Sequence, residues 1–189
     1  GLCASSYYGF VPHTQYTTDI AKAKALLTQA GYPDGKGFPA LTFMFDTRDD
    51  HKMIAERLQA MWKKNLGVDL KAQNEDWKVY LNRLKADVPP MFRLGWGADY
   101  PDPDNFLTLF TSFSGNNYTQ WKSKEYDKLV EDAAGESAMP KRIALYKKAQ
   151  VLLTEKDAVI IPLFVDALNV LVSPTVKNLS LNPMDILQL

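Results

Sequence analysis

The sequence predicts an α/β fold in which helices flank a mixed β-sheet. Three observations lead to this class: strand-like and helical segments alternate along the chain, cap residues bound several of the helices, and the composition is that of a globular protein. The 189 residues are 46% hydrophobic and 23% charged. A chain of this length can bury a substantial core, so we expect one domain over residues 1–189.

The first half of the chain predicts alternating helices and strands. Gly31 and Gly67 follow segments with helical apolar spacing, as glycine C-caps do. Short apolar or alternating runs lie between these segments and predict strands. In order, we predict a helix over 19–30, a strand over 41–46, a helix over 49–65, a strand over 68–72 and a helix over 76–85.

The second half predicts two longer helices between loops and strands. Ser123 is a suitable N-cap and Pro140 a suitable first-turn residue. Pro103 and the polar stretch 112–117 indicate loops. We predict a short strand over 91–94, helices over 123–134 and 140–155, and closing strands over 158–165 and 167–173.

Charge and cysteine content exclude several classes of function. Lys plus Arg and Asp plus Glu each number 22, so no overall field favours nucleic acid or an anionic membrane. The single cysteine, Cys3, forms neither an internal disulfide nor a cysteine-based metal site. No apolar run is long enough to span a bilayer, and the first residues lack the pattern of a signal peptide. We therefore expect no cofactor, no metal and no direct membrane insertion by this chain. We also expect the chain to be a piece of a longer protein.

The motifs of common enzymes are also missing from the sequence. It contains no phosphate-binding glycine loop, no Gly-x-Ser-x-Gly elbow and no His-Glu-x-x-His helix. Three acidic residues, Asp99, Asp102 and Asp104, fall in one loop, but the spacing fits neither a calcium loop nor a glycosidase pair. We read Asp102 and Asp104 as solvated turn residues, and we expect a protein that is not an enzyme.

One segment and its surroundings resemble a known family. The segment Arg93-Leu94-Gly95-Trp96-Gly97-Ala98-Asp99-Tyr100-Pro101-Asp102-Pro103 is followed by Asn116-Asn117-Tyr118 and by Lys122-Ser123-Lys124-Glu125-Tyr126. Together with 49–52, 62–68 and 74–77 upstream, this order resembles the carboxy-terminal lobe of the oligopeptide and dipeptide binding proteins of ABC importers, solute-binding protein family 5.

The resemblance implies a type II periplasmic binding protein of two lobes that close about a hinge. This chain would form the carboxy-terminal lobe, and the amino-terminal lobe would lie outside it. The implied ligand is a short peptide, the implied partners are importer permease subunits, and the implied location is the periplasm or the outer face of an anchoring membrane. Nucleic acid is not an implied partner.

The resemblance also implies roles for the two ends of a peptide. Asp99 would accept the α-ammonium in a charge-assisted hydrogen bond. Arg93 and His51 would serve the carboxylate. From the residues alone, Asp99 is better read as a turn-capping residue. Arg93 could be a member of a routine ion pair, and His51 could be a solvated side chain in the first turn of a helix.

Backbone and aromatic groups complete the expected site. Gly95 and Gly97 would leave backbone groups open to an extended guest, although a bulge has the same composition. Trp96 and Trp77 would be flat apolar walls, whereas Trp77 could also lie on the inner face of its helix. Asp46 departs from the neutral polar residue of many relatives, and its charge would disfavour a nearby carboxylate unless Arg93 or His51 compensates.

Two other classes of function remain open. The same fold serves as a sensor when it is joined to a DNA-binding module, and a hydrolase using Asp99 with Asp102 or His51 is the third possibility. Within the receptor class, the fold alone does not distinguish an oligopeptide from a dipeptide, a cell-wall peptide, a nickel chelate or a sugar.

Overall fold

The computed structural model describes residues 18–165, 171–177, 179–181 and 187–188. The chain divides into two compact units, with the boundary between Gly95 and Trp96. We call the described residues up to Gly95 the sheet unit and those from Trp96 onward the helical unit. The expectation of one domain over residues 1–189 stays a prediction.

The sheet unit alternates helices and strands as the sequence predicts. Its strands form one sheet in the order β2-β1-β3, and both pairings are parallel. Its elements are α1 (Ile20–Gln29), β1 (Leu41–Asp46), α2 (Asp49–Leu66), β2 (Leu70–Glu75), α3 (Trp77–Ala86) and β3 (Met91–Phe92).

The central strand β1 is the most enclosed part of the sheet unit. It has a partner on each edge, with Leu41 opposite Leu70 in β2 and Phe43 opposite Met91 in β3. Its last four residues are all buried, which is typical of a parallel strand covered on both faces. Phe43 and Phe45 pack with Ala55 of α2 in the core of this unit. The strand therefore ends at a fixed point beside α2.

Local cap chemistry sets the helix ends. Asp19 precedes α1 and accepts a hydrogen bond from the backbone N–H of Lys22 at 2.9 Å. Gly67 ends α2 with a φ of 70°, in the left-handed region that favours glycine. A Cβ at Gly67 would collide with the carbonyl oxygen of Asp34, so the close approach requires glycine as well.

The helical unit is built around two packed helices. Its elements are α4 (Asp104–Leu107), α5 (Lys124–Gly135) and α6 (Met139–Val151), which continues as a π-helical turn over Leu152–Lys156, with β4 (Ser180–Leu181) antiparallel to β5 (Leu187–Gln188). Short 3₁₀ turns occur at Pro33–Gly35 in the sheet unit and Thr108–Phe110 in the helical unit. The core of the helical unit consists of Leu107, Tyr126, Val130, Ala133, Tyr146, Ala149, Leu152 and Leu153.

The predicted α/β class is confirmed, and two details of the prediction are wrong. Residues 158–165 form no strand, because an apolar run becomes a strand only where a neighbouring backbone pairs with it, and none does among the described residues. Residues 171–173 are also irregular, while 167–170 lie outside the described residues. Conversely, α4 occupies a region that Pro103 marked as loop, because proline also suits a helix start.

None of the helices in the described part of the chain combines the length and the apolar character needed to cross a bilayer.

Candidate ligand-binding site

Asp46 and His51 form a buried pair in the sheet unit. Asp46 is the last residue of β1, and His51 lies in the first turn of α2. The distance between His51 Nδ1 and Asp46 Oδ1 is 2.6 Å, and the two residues are only 4% and 7% exposed. The reading of His51 as a solvated side chain is therefore wrong. His51 is therefore the contact partner of the Asp46 carboxylate.

Tyr80 of α3 joins Met44 of β1 to the residue that follows β3. Its hydroxyl donates to the carbonyl oxygen of Arg93 at 2.6 Å and approaches that of Met44 at 3.3 Å. Burial, and secondly the charge of Asp46, raise the pKa of Tyr80, so the phenol stays a neutral donor. The backbone N–H of Arg93 also donates to Met44 at 2.9 Å. Arg93 is thus fixed at the carboxyl edge of the sheet.

The side chain of Arg93 is half-buried, and its charge is uncompensated at short range by the residues that the structure describes. No carboxylate in the described part of the chain lies within ion-pair distance of its guanidinium. A Cβ built at Gly95 would meet only Nη1 of Arg93, at 4.0 Å, so this glycine leaves space beside the guanidinium. Gly95 therefore lies beside the guanidinium, and among the described residues Arg93 has no routine ion pair.

Trp77 begins α3 and is 51% exposed. Its ring centroid is 6.3 Å from that of Tyr80, and the two rings are tilted by 39°. Trp77 is on the same side of α3 as the buried residues Tyr80 and Leu84, but it lies at the start of the helix, where it is only partly covered. A large part of its indole surface is available for contact.

Trp96 and Asp99, in the helical unit, share one partner that the sequence did not reveal. The side-chain oxygen of Asn105 accepts from the indole N–H of Trp96 at 2.8 Å and from the backbone N–H of Asp99 at 3.2 Å. The amide nitrogen of Asn105 donates to Oδ2 of Asp99 at 3.4 Å. Asn105 is 5% exposed, whereas Asp99 is exposed.

The backbone around Gly97 is open. Among the described residues, apart from Gly97 and its two chain neighbours, no heavy atom lies within 4 Å of a Cβ built at this glycine. Within the described part of the chain, no backbone N–H from Leu94 to Ala98 donates to a backbone carbonyl outside regular helices and strands. The pairing of these groups with an extended guest stays a prediction.

Asp102 and Asp104 belong to a polar cluster rather than to a solvated turn. Asp102 is buried and forms an ion pair with Arg142 of α6 at 2.9 Å. Asp104 accepts from the hydroxyls of Tyr100 at 2.7 Å and Tyr146 at 3.1 Å. Desolvation, and secondly the bond to Asp104, raise the pKa of Tyr100 to about 12. The solvated reading is wrong for Asp102, which links the loop to α6.

Comparison with known proteins identifies the family. The model of the bacterial extracellular solute-binding proteins, family 5 Middle, matches residues 1–118, and the chain belongs to this family. It is 37% identical over 167 residues to the periplasmic murein peptide-binding protein MppA of Escherichia coli, covering 88% of this chain and 31% of the relative. It is 37% identical over 143 residues to the oligopeptide-binding protein OppA of Bacillus subtilis, covering 73% of this chain and 26% of the relative.

A solved structure shows the same fold. The Escherichia coli murein tripeptide binding protein MppA superposes with a TM-score of 0.75 at 35% sequence identity, covering 82% of this chain and 31% of the other. The family resemblance read from the sequence is confirmed. The chain spans about a third or less of the length of these relatives.

Proposed function

We propose that this chain is part of the substrate-binding component of an ABC importer, and that the complete protein binds short peptides and delivers them to the permease. It works as a receptor and not as an enzyme. Family membership supports this proposal, as do the names of the relatives, which are a murein peptide-binding and an oligopeptide-binding protein.

The observation that carries the peptide assignment is the state of the two candidate end-group residues. Asp99 is exposed, and only one of its carboxylate oxygens is hydrogen-bonded within the described residues. The guanidinium of Arg93 likewise has no anionic partner there. A peptide carries an ammonium at one end and a carboxylate at the other, and each needs an opposite charge when water is removed. Asp99 and Arg93 supply one charge of each sign.

The remaining candidates fit the middle of a peptide. The open backbone near Gly95 and Gly97 offers hydrogen-bonding groups to an extended chain. Trp96 and Trp77 expose 39% and 51% of their surfaces, and such flat surfaces accept side chains of varied shape. The family of extracellular solute-binding proteins and the periplasmic relative support a location of the complete protein outside the cytoplasmic membrane. We propose that the complete protein lies in the periplasm or is anchored to the outer face of the membrane.

The test is a cycle that removes one charge from the protein and one from the ligand. In the full-length protein, Asp99→Asn should weaken binding of a free-amine tripeptide by tens-fold or more, because truncating a buried charge pair costs about 2 to 5 kcal/mol. The amino-acetylated peptide should bind the native protein poorly and lose little more in the variant. Isothermal calorimetry measures the four dissociation constants, one for each combination of native protein or variant with free-amine or acetylated peptide. Equal losses for both peptides would make Asp99 a loop-capping residue.

A further inference from the structure

Asn105 is a buried polar residue in the short helix α4, and it has three hydrogen bonds to two candidate ligand-binding residues. Two N–H groups, from the indole of Trp96 and the backbone of Asp99, reach the same side-chain atom at 2.8 and 3.2 Å. The third bond, at 3.4 Å, reaches the carboxylate of Asp99. Asn105 is 5% exposed, so water does not readily replace these partners.

This pattern permits only one orientation of the amide. An atom that receives two N–H donors must be the carbonyl oxygen, because an NH₂ group has no acceptor capacity. The NH₂ group must then face Oδ2 of Asp99, which accepts from it. The same side chain thus holds Asp99 at two points, its backbone and its carboxylate, and holds the Trp96 ring at a third.

The arrangement leaves part of Asp99 available. Oδ1 of Asp99 has no hydrogen-bond partner among the described residues. The contact with Asn105 is neutral, so it orients the carboxylate without cancelling its charge. An ammonium bound at Asp99 would meet a carboxylate that is already fixed, and less conformational entropy would be lost on binding.

We propose that Asn105 is a positioning residue for the amino end of the ligand: its amide fixes the carboxylate of Asp99 and the indole of Trp96 in one arrangement. The proposal rests on the proposed function, because it assumes that Asp99 binds the peptide ammonium. Asn105 itself need not touch the ligand. Its removal should therefore loosen both neighbours while leaving the charge of Asp99 in place.

The test uses three substitutions in the full-length protein. Asn105→Leu keeps a similar volume and removes all three hydrogen bonds. Asn105→Asp keeps the oxygen that accepts from Trp96 and from the Asp99 backbone. Asn105→Ser replaces the leucine variant if that variant does not fold, because serine also removes the amide group and is a smaller, polar residue. The matched control is Thr111→Val, which removes the hydrogen bond of another fully buried polar side chain of the same unit, to the carbonyl of Thr108.

The first measurement is the indole N–H resonance of Trp96 in ligand-free protein, assigned with a Trp96→Phe variant. We expect the resonance to move upfield in Asn105→Leu and Asn105→Ser, because the indole loses its acceptor, and to stay near its native position in Asn105→Asp and Thr111→Val. A resonance that does not move in the leucine or serine variant would overturn the proposal.

The second measurement is peptide affinity. The dissociation constant of a free-amine tripeptide should rise about tenfold in Asn105→Leu, since a hydrogen bond to a charged group is lost, and less for the acetylated peptide. A loss equal to that in Thr111→Val, or equal for both peptides, would reduce Asn105 to a structural residue. If the native protein binds no peptide, the proposed function fails, whereas the indole measurement still decides whether Asn105 positions Trp96.

Discussion

The two units hold their candidate charged residues in opposite ways. In the sheet unit, Asp46 and His51 are buried side chains, 11% and 5% exposed, that contact each other at 2.6 Å. In the helical unit, Asp99 is exposed and is held by Asn105, a buried and neutral amide. A buried charge needs a partner within the protein, whereas an exposed one can be oriented by a neutral group and keep its charge for a ligand.

This difference changes the expected division of roles in the sheet unit. The sequence left open whether Arg93 or His51 compensates the charge of Asp46, and the structure has His51 Nδ1 at 2.6 Å from Asp46 Oδ1. Arg93 has no anionic partner in the described part of the chain. We therefore expect Arg93, and not His51, to be the principal receptor for a ligand carboxylate.

The largest effect should come from breaking the buried pair. His51→Leu leaves the carboxylate of Asp46 buried without its partner, and such a change typically costs about 3 to 5 kcal/mol of stability. Urea unfolding of the variant should show this loss. Lys52→Leu, at an exposed position of the same helix, is the control and should change the free energy of unfolding by less than about 0.5 kcal/mol. If the free energy of unfolding fell by the same small amount in both variants, the carboxylate of Asp46 would have to be stabilised by groups other than His51.

Local chemistry explains which elements could be predicted from the sequence. The strand at Leu41–Asp46 agrees with the prediction to the residue, and Ser123 is the N-cap of α5 as predicted. The first helix was predicted to begin at Asp19, which is instead its N-cap, one residue before the helix. Each of these signals acts within a few residues. The strand predicted over 158–165 is wrong, because strand formation depends on a distant partner, which no local pattern encodes.

The same limit applies to the candidate site. Asp99 is exposed, which agrees with its predicted place in a loop close to Gly97. The glycines and prolines of this segment are the signal for that loop. Neither the burial of His51 nor the ion pair of Asp102 with Arg142 was readable, because each depends on how separate elements pack. Asn105 was missed for the same reason. The one available signal was a polar residue directly before the apolar Phe106-Leu107 of a short helix.

A smaller effect should sharpen the contrast between Arg93 and the paired residues. In the full-length protein, Arg93→Ala should raise the dissociation constant of a peptide with a free carboxy terminus by about tenfold, which is about 1.4 kcal/mol. The dissociation constant of the carboxy-terminal amide of the same peptide should rise less in this variant. The control is Arg57→Ala, at an exposed arginine of the same unit. Calorimetry that gives equal losses for acid and amide would assign Arg93 a structural role.

The smallest effect concerns an ion pair on the surface. Because both side chains are exposed to water, we expect the pair to contribute very little to stability. Lys128 Nζ and Asp132 Oδ2, one turn apart on α5, are 3.0 Å from each other, and the side chains are 74% and 46% exposed. Water screens both charges, and exposed pairs of this spacing contribute about 0.3 to 0.5 kcal/mol. Lysine precedes the acid here, which is the less favourable order, so we expect the lower end of that range. A double-mutant cycle with Lys128→Ala and Asp132→Ala, measured by urea unfolding, gives the coupling free energy. A coupling above about 1 kcal/mol would show that burial is not what separates this pair from Asp46 and His51.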